Sequence, residues 1–251
     1  MQKIEVEIKG AVRTVRLNRP EKRNALDAEM LDVLTAAFRK LPESTERLAV
    51  IRAEGPAFCA GLDLRSRAEI KDGSSSIEVL LRAIETYPLP VVAVVQGDAI
   101  AGGNELALHC DIVTASATAR FGMSLAQIGL APTWFLIKKL MEVAGPVTTR
   151  KMLLLGDPLP STRMYELGII AEIASPTELE AKAALIIDRL AANAPLSLRA
   201  MKAAMVREMQ FRDSIPHDDI DALVMEASAS ADAKEGMAAK MERRKPNFHG
   251  K

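Results

Sequence analysis

Val91-Val92-Ala93-Val94-Val95, followed by Gln96-Gly97 and then by Ala101-Gly102-Gly103-Asn104-Glu105-Leu106-Ala107-Leu108-His109-Cys110-Asp111-Ile112-Val113-Thr114-Ala115, is the stretch that decides the fold. The first five residues are apolar without a polar alternate, so they read as a strand buried on both faces. Pro88 and Pro90 stop whatever precedes them. Gly97 to Gly103 turns into a helix that carries Glu105, Leu106, Leu108 and His109. Asp111-Ile112-Val113-Thr114-Ala115 is a second short strand. Strand, helix, strand in that order requires a crossover, and so a parallel sheet or spiral.

The same pattern extends upstream. Ile4, Val6 and Ile8 alternate with charged residues, and Gly10 separates them from Val12, Val15 and Leu17, which predicts a hairpin. Asp27 caps a helix to about Arg39 through Met30, Leu31, Leu34 and Phe38. Leu48–Ile51 is another buried strand. Arg65 to Ser76 is polar, with Lys71–Ser76 a loop, and a helix follows from Ile77 to Thr86. From Thr133 onward the chain is helical except for a strand at Ile169–Ile173. Its long helices are Glu178–Ala192, Ser197–Met209 and Asp218–Met241. The organisation expected is a core over residues 1–194 and a helical C-terminal region over 195–251.

Composition excludes several classes. The chain has 251 residues, and its 33 basic and 33 acidic side chains cancel, so no sequence-wide basic field exists for nucleic acid. Aromatics at 4% leave little for base stacking. The longest apolar run, Val91–Val95, is far short of the ~20 residues of a membrane helix. Cys59 and Cys110 make no disulfide framework and fit a reducing compartment. Three histidines, His109, His217 and His249, show no metal-ligand spacing. A cytoplasmic protein without membrane or nucleic-acid partners is expected.

Two glycine turns have chemical potential. Gly61-Leu62 follows a loop of small residues, and Ala101-Gly102-Gly103 opens a helix. Backbone N–H groups at such turns lack internal partners, and two aimed at one point would hold a developing oxyanion. The same glycines would also serve tight packing alone. Glu105, three residues past Gly102, reads as an acid/base beside a polarised carbonyl or as the electrostatic complement of a helix start. His109, one turn further on, reads as a helix-packed or surface histidine. Cys59 reads as a small buried hydrophobe, Asp63 and Asp111 as loop anchors, and Ser161 as a cap.

Phe58-Cys59-Ala60-Gly61-Leu62-Asp63-Leu64 resembles a signature of the enoyl-CoA hydratase/isomerase (crotonase) superfamily. Gln96-Gly97 through Ala101-Gly102-Gly103-Asn104-Glu105-Leu106 with Cys110-Asp111 resembles its second signature. Leu17-Asn18-Arg19-Pro20 with Asn24-Ala25-Leu26, and the ending Glu242-Arg243-Arg244-Lys245-Pro246-Asn247-Phe248, are similar to the family's N- and C-terminal patterns. The resemblance implies an α/β fold, a crotonase-like spiral of ββα units with a helical C-terminal trimerisation region. It implies a coenzyme A thioester as substrate with no further cofactor and no metal, and a homotrimer or dimer of trimers. The Leu62 and Gly102 N–H groups would form the oxyanion hole, and Glu105 would be the acid/base. Lys22, Arg23, Ala60, Leu64, Arg65, Lys245 and Phe248 would bind CoA.

One departure limits what carries over. Family hydratases pair two glutamates around a water, and the second falls here on Leu125. No Asp or Glu occurs from Phe121 to Met141; Ser124, Gln127 and Thr133 are the polar substitutes for orienting a water. The family's methylmalonyl-CoA decarboxylases use a tyrosine, whose place here is Pro132. Reversible hydration of a 2-enoyl-CoA is the reading, with decarboxylation of a malonyl-type CoA ester and a non-catalytic acyl-CoA-binding subunit as its rivals.

Overall fold

The computed structural model describes residues 2–64 and 76–251. Arg65 and residues 71–75 of the expected loop lie outside the described residues. Ser76 is described: its hydroxyl caps the helix α2 (Ile77–Glu85) by accepting from the Val79 N–H at 3.3 Å.

The expected hairpin is strands β1 (Ile4–Lys9) and β2 (Val12–Leu17), paired antiparallel. Helix α1 (Ala28–Arg39) starts where expected, with the Asp27 carboxylate accepting from Met30 N. Then a unit repeats. Strand β3 (Leu48–Ala53) leads to the short β4 (Ala57–Cys59) and to α2. Strand β5 (Val91–Val95) leads to β6 (Asp98–Ile100) and helix α3 (Gly102–Leu108). Strand β7 (Ile112–Ser116) leads to β8 (Arg120–Gly122) and helix α4 (Trp134–Arg150). The long strands form one sheet in the order β1-β2-β3-β5-β7-β10. The short ones form a second sheet in the order β4-β6-β8-β9. β9 is Leu159–Pro160 and β10 is Glu172–Ala174. Apart from β1–β2 and β8–β9, all pairings are parallel. This is a spiral of ββα turns.

The apolar run Val91–Val95 is buried on both faces because each face meets its own core. Val91, Ala93 and Val95 face the core shared with α1 to α4, whereas Val92 and Val94 join Leu48, Val50, Ala183 and Ile187 under α6 (Leu179–Ala192).

Four expectations are corrected. The second sheet was not anticipated, because strands of two or three residues are too short to show alternation. The strand expected at Ile169–Ile173 is shifted to Glu172–Ala174. Ser161 does not cap: it is the first residue of α5 (Ser161–Glu166), and its buried hydroxyl donates to Ser116 O at 2.7 Å. The helix expected over Asp218–Met241 is two, α8 (Asp218–Ala229) and α9 (Ala231–Glu242). Ser230 breaks it with ψ 161° and then caps α9 through Ala233 N. With α7 (Pro195–Met209) these form the C-terminal helical region. α9 folds back on the core, so closely that a Cβ on Gly236 would stand 2.4 Å from the Ile128 backbone.

Candidate active site

Two backbone turns meet beside β4 and β6. Gly61 has φ +93°, and a Cβ there would stand 3.0 Å from the Ala101 Cβ and 3.1 Å from Gly102 N. A Cβ on Gly102 would lie 3.6 Å from Leu62 N. Glycine at both positions therefore lets the two backbones touch. The direction of the Leu62 N–H follows from its neighbours. Leu26 N donates to Gly61 O and Leu26 O accepts from Asp63 N, both at 2.8 Å. In a parallel bridge of this kind, the residue between the two bonded neighbours turns its own N–H the other way. Gly102 N is the first donor of α3, with no residue four back to accept from it. Among the described residues neither N–H has a backbone acceptor. Ala101, which precedes Gly102, has φ 50° and ψ −118°, an uncommon conformation for a residue with a side chain. Its N–H is fixed on Gly122 O at 2.7 Å, which anchors the turn to β8.

Both turns line a cavity of about 150 Å³. Its other walls are chiefly apolar: Ala60, Leu64, Ile77, Met123, Leu125 and Leu136 among them. Ser124 and Lys240 are its polar side chains, and no carboxylate lines it among the described residues.

Glu105 lies one turn along α3 from Gly102, on the same face. Its side chain is wholly buried and does not line the cavity. Oε1 accepts from Asn104 Nδ2 at 3.3 Å, whereas Oε2 has no partner and stands 3.6 Å from His109 Nδ1. Burial pushes this carboxyl up to about 8, against the opposing effects of Asn104 and Lys139, so it is mostly protonated at neutral pH. His109 is packed, as expected: it is 3% exposed and stacks on Phe135 at 5.2 Å. Burial, helped by the nearby Lys139 ammonium, pushes it down to about 3. The arrangement can polarise a carbonyl from two N–H groups and keep an acid in the wall behind them.

Residues 7–251 match the family model described as enoyl-CoA hydratase/isomerase. This chain belongs to that family. It is 33% identical over 241 residues to a probable enoyl-CoA hydratase, echA6, of Mycobacterium bovis, covering 96% of both chains. It is 30% identical to a crotonyl-CoA hydratase of Syntrophomonas wolfei, covering 94% of this chain and 93% of that one. Among solved structures, an enoyl-CoA hydratase from Mycobacterium avium subsp. paratuberculosis superposes with TM-score 0.86 at 27% identity, with 99% of each chain covered. A methylmalonyl-CoA decarboxylase superposes at TM-score 0.89 and 25% identity, covering 100% of this chain and 99% of that one.

In this family member the N-terminal motif is a clamp on the Leu62 loop. Asn24 is fully buried with φ 54°; it accepts from Arg19 N and donates to Glu54 O and Ala57 O. Arg19 pairs with Asp63 at 2.9 Å, and Arg23 O accepts from Ala60 N at 3.0 Å. Arg23 is thus held against Ala60, and the Lys22 and Arg23 side chains are exposed. Asp111 anchors Val91 N at 2.7 Å, as expected of it. The thiol of Cys59 is buried and pushed up to about 12. Of the expected water-orienting residues only Ser124 reaches the cavity. Gln127 turns to Leu155 O and Asp157, and Thr133 donates to Glu78. Lys245 and Phe248 do not line the cavity within one chain. After a left-handed turn at Arg243, Glu235 and Asp232 hold the tail along α9 through Asn247, His249 and Gly250 N–H groups. Lys240 was not anticipated, since nothing in the 231–242 pattern ties it to motifs more than a hundred residues upstream.

Proposed function

We propose that this protein hydrates a 2-enoyl-CoA reversibly, holding the thioester oxygen on the Leu62 and Gly102 N–H groups. The observation that carries this is the meeting of two N–H groups without backbone acceptors at the wall of an apolar cavity, with a buried carboxyl one helical turn behind. The two dipoles polarise the thioester carbonyl and draw electron density from Cβ. Water adds its oxygen to Cβ while the π pair moves into the enolate, whose oxygen the N–H groups stabilise. Glu105, turning from its buried place behind the first turn of α3 into the cavity, delivers its proton to Cα, and the proton lost by the attacking water restores the acid. Each N–H contributes roughly 3 kcal/mol to the transition state. Ser124 is the polar side chain placed to orient the water.

In the same reading, Lys22, Arg23 and Arg65 bind the CoA phosphates, and Ala60 and Leu64 line the adenine pocket. Lys245 and Phe248 cover CoA across a subunit boundary. No cofactor beyond the thioester substrate is needed. The exposed Leu196, Met201, Met205, Phe211, Leu223 and Met225 of the C-terminal region support a homotrimer or dimer of trimers. No described helix is long and apolar enough to cross a membrane, and the two free cysteines support a cytoplasmic setting.

A second reading, decarboxylation of a malonyl-type CoA ester, is favoured by Leu125 lining the cavity where a second acid would act. Loss of CO₂ leaves the enolate directly in the oxyanion hole, and one proton donor completes the reaction. Absorbance of the conjugated enoyl thioester separates the two. Wild type consumes crotonyl-CoA or a longer 2-enoyl-CoA, and Glu105→Gln does not. Failure with every enoyl-CoA, with turnover of malonyl-type esters, selects decarboxylation. Binding without turnover of either selects the non-catalytic subunit.

A further inference from the structure

The site cavity has a cationic side chain that the hydration step does not use. Lys240, on α9, lines it together with Leu125, Ile128 and Leu130. The backbone that carries Lys240 is closely docked. A Cβ on Gly236 would stand 2.4 Å from the Ile128 backbone, and one on Gly129 would stand 2.6 Å from Asp232 O. Ala233, Gly236 and Ala239 form the buried side of α9. Lys240 is one turn past Gly236, so it continues the docked edge of the helix towards the cavity. It therefore enters from the 125–130 wall, and not from the Ala60 loop against which Arg23 is held.

The carboxylates of its own helix are engaged elsewhere. Arg244 bonds Glu235 at 2.8 Å and Glu242 at 2.6 Å. Asp232 accepts from the His249 and Gly250 N–H groups at 2.7 and 2.8 Å. Among the described residues Lys240 makes no ion pair, and no carboxylate lines the cavity. Lys240 is exposed, so its ammonium keeps its hydration until a ligand arrives. A ligand that fills the apolar cavity displaces water, and the attraction between that ammonium and an anion then strengthens.

One end of the acyl group is set by the thioester oxygen on the Leu62 and Gly102 N–H groups. The chain then runs past Leu125, which takes its far end to the wall from which Lys240 enters. A cavity of about 150 Å³ suits a short chain. A methyl end offers the ammonium nothing, whereas a carboxylate end accepts a charge-assisted hydrogen bond from it.

We propose that Lys240 selects a CoA thioester whose short acyl chain ends in a carboxylate, the monothioester of a dicarboxylic acid. The Lys240 ammonium donates to that carboxylate while the thioester oxygen sits on the two backbone N–H groups, so the acyl group is held at both ends. Lys240 is a specificity-determining residue, and no proton passes through it. This rests on the hydratase reading for the course of the acyl chain and names the substrate class of the same site.

The test compares glutaryl-CoA with hexanoyl-CoA, a carboxylate-ended and a methyl-ended chain of similar length, by calorimetric binding to the full chain. Their enoyl counterparts, glutaconyl-CoA and 2-hexenoyl-CoA, are followed by loss of enoyl absorbance. The variants are Lys240→Met, which keeps an unbranched stem, and Lys240→Arg, which keeps the charge, each checked for folding by its melting curve. Lys240→Met lowers the affinity for glutaryl-CoA about 10–100-fold more than that for hexanoyl-CoA, and Lys240→Arg retains most of the difference. The kcat/KM for glutaconyl-CoA falls in the same proportion relative to 2-hexenoyl-CoA. Equal losses with both chains place Lys240 on the CoA moiety and overturn the proposal. No loss with either makes it a solvated surface lysine and overturns the proposal as well. Selective loss of glutaryl-CoA binding, with hydration of neither enoyl thioester by wild type, upholds Lys240 and overturns the hydratase reading instead.

Discussion

Leu62 N lies 3.6 Å from the point where a β-carbon on Gly102 would stand, so the loop after β4 and the start of α3 touch with no side chain between them. In Gly102→Ala the new methyl would stand in ordinary contact with that N–H, screening it from a substrate oxygen, and would meet Ile77 Cδ1 at 2.5 Å. The Ile77 contact is the far end of a flexible side chain, so the fold survives. Turnover of crotonyl-CoA falls about 10²–10³-fold, the cost of one oxyanion donor, with a melting temperature close to wild type.

One residue on, the outcome differs. A Cβ at Gly103 would stand 2.1 Å from the Cys59 carbonyl oxygen, a backbone atom of β4 that cannot step aside. Gly103→Ala forces β4 and α3 apart. It lowers stability by several kcal/mol, as overpacking against backbone does, and gives little soluble protein in an expression test.

Glu105 makes stability depend on pH in a definite sense. Its folded pKa is raised to about 8 while the unfolded chain has an ordinary carboxyl. Between about pH 4.5 and 8 the native state therefore binds more protons than the unfolded state, and this group's contribution falls as pH rises. Glu105→Gln removes the penalty. The variant melts higher than wild type at pH 7, and the gap shrinks towards pH 4.5 in thermal scans.

The Arg13–Glu46 pair has the opposite sign. Arg13 is 1% exposed and bonds Glu46 at 2.7 and 2.9 Å. Burial alone would raise the Glu46 carboxyl, but the Arg13 bonds outweigh it and hold it below its usual value. The pair's contribution is present above the ordinary glutamate pKa and is lost as pH falls through the lowered one. Glu46→Ala strands a buried guanidinium and costs about 3–5 kcal/mol, or roughly 10 °C in melting temperature, with kcat unchanged.

Leu125 lines the cavity and is partly exposed within it. Leu125→Glu places a second carboxyl opposite the oxyanion turns. It raises hydration of crotonyl-CoA by about tenfold or more, measured by loss of enoyl absorbance.

How much of this was legible in the sequence depended on segment length and on distance along the chain. Val91–Val95 was readable because five apolar residues in a row leave a strand little choice. Asp27 was readable because its carboxylate does the local work of capping. β4, β6, β8 and β9 were not, since two or three residues carry no period; their pairing is decided by neighbours tens of residues away. The break at Ser230 was missed because serine is tolerated within a helix, and the extended ψ comes from α9 docking on the 126–128 turn. At the site, Leu62 and Gly102 were readable from their glycine turns and from motif resemblance. The burial of Glu105 beside His109 was not. It arises from α4 and α7 closing over α3, and no local pattern encodes that packing.

In the proposed mechanism one thioester oxygen sits on both N–H groups. A crystal structure with acetoacetyl-CoA shows whether it does. The expected result is a thioester oxygen about 2.7–3.1 Å from both Leu62 N and Gly102 N, with the acyl chain running past Leu125. A thioester oxygen bound away from either nitrogen, with the CoA otherwise fully ordered, would contradict it.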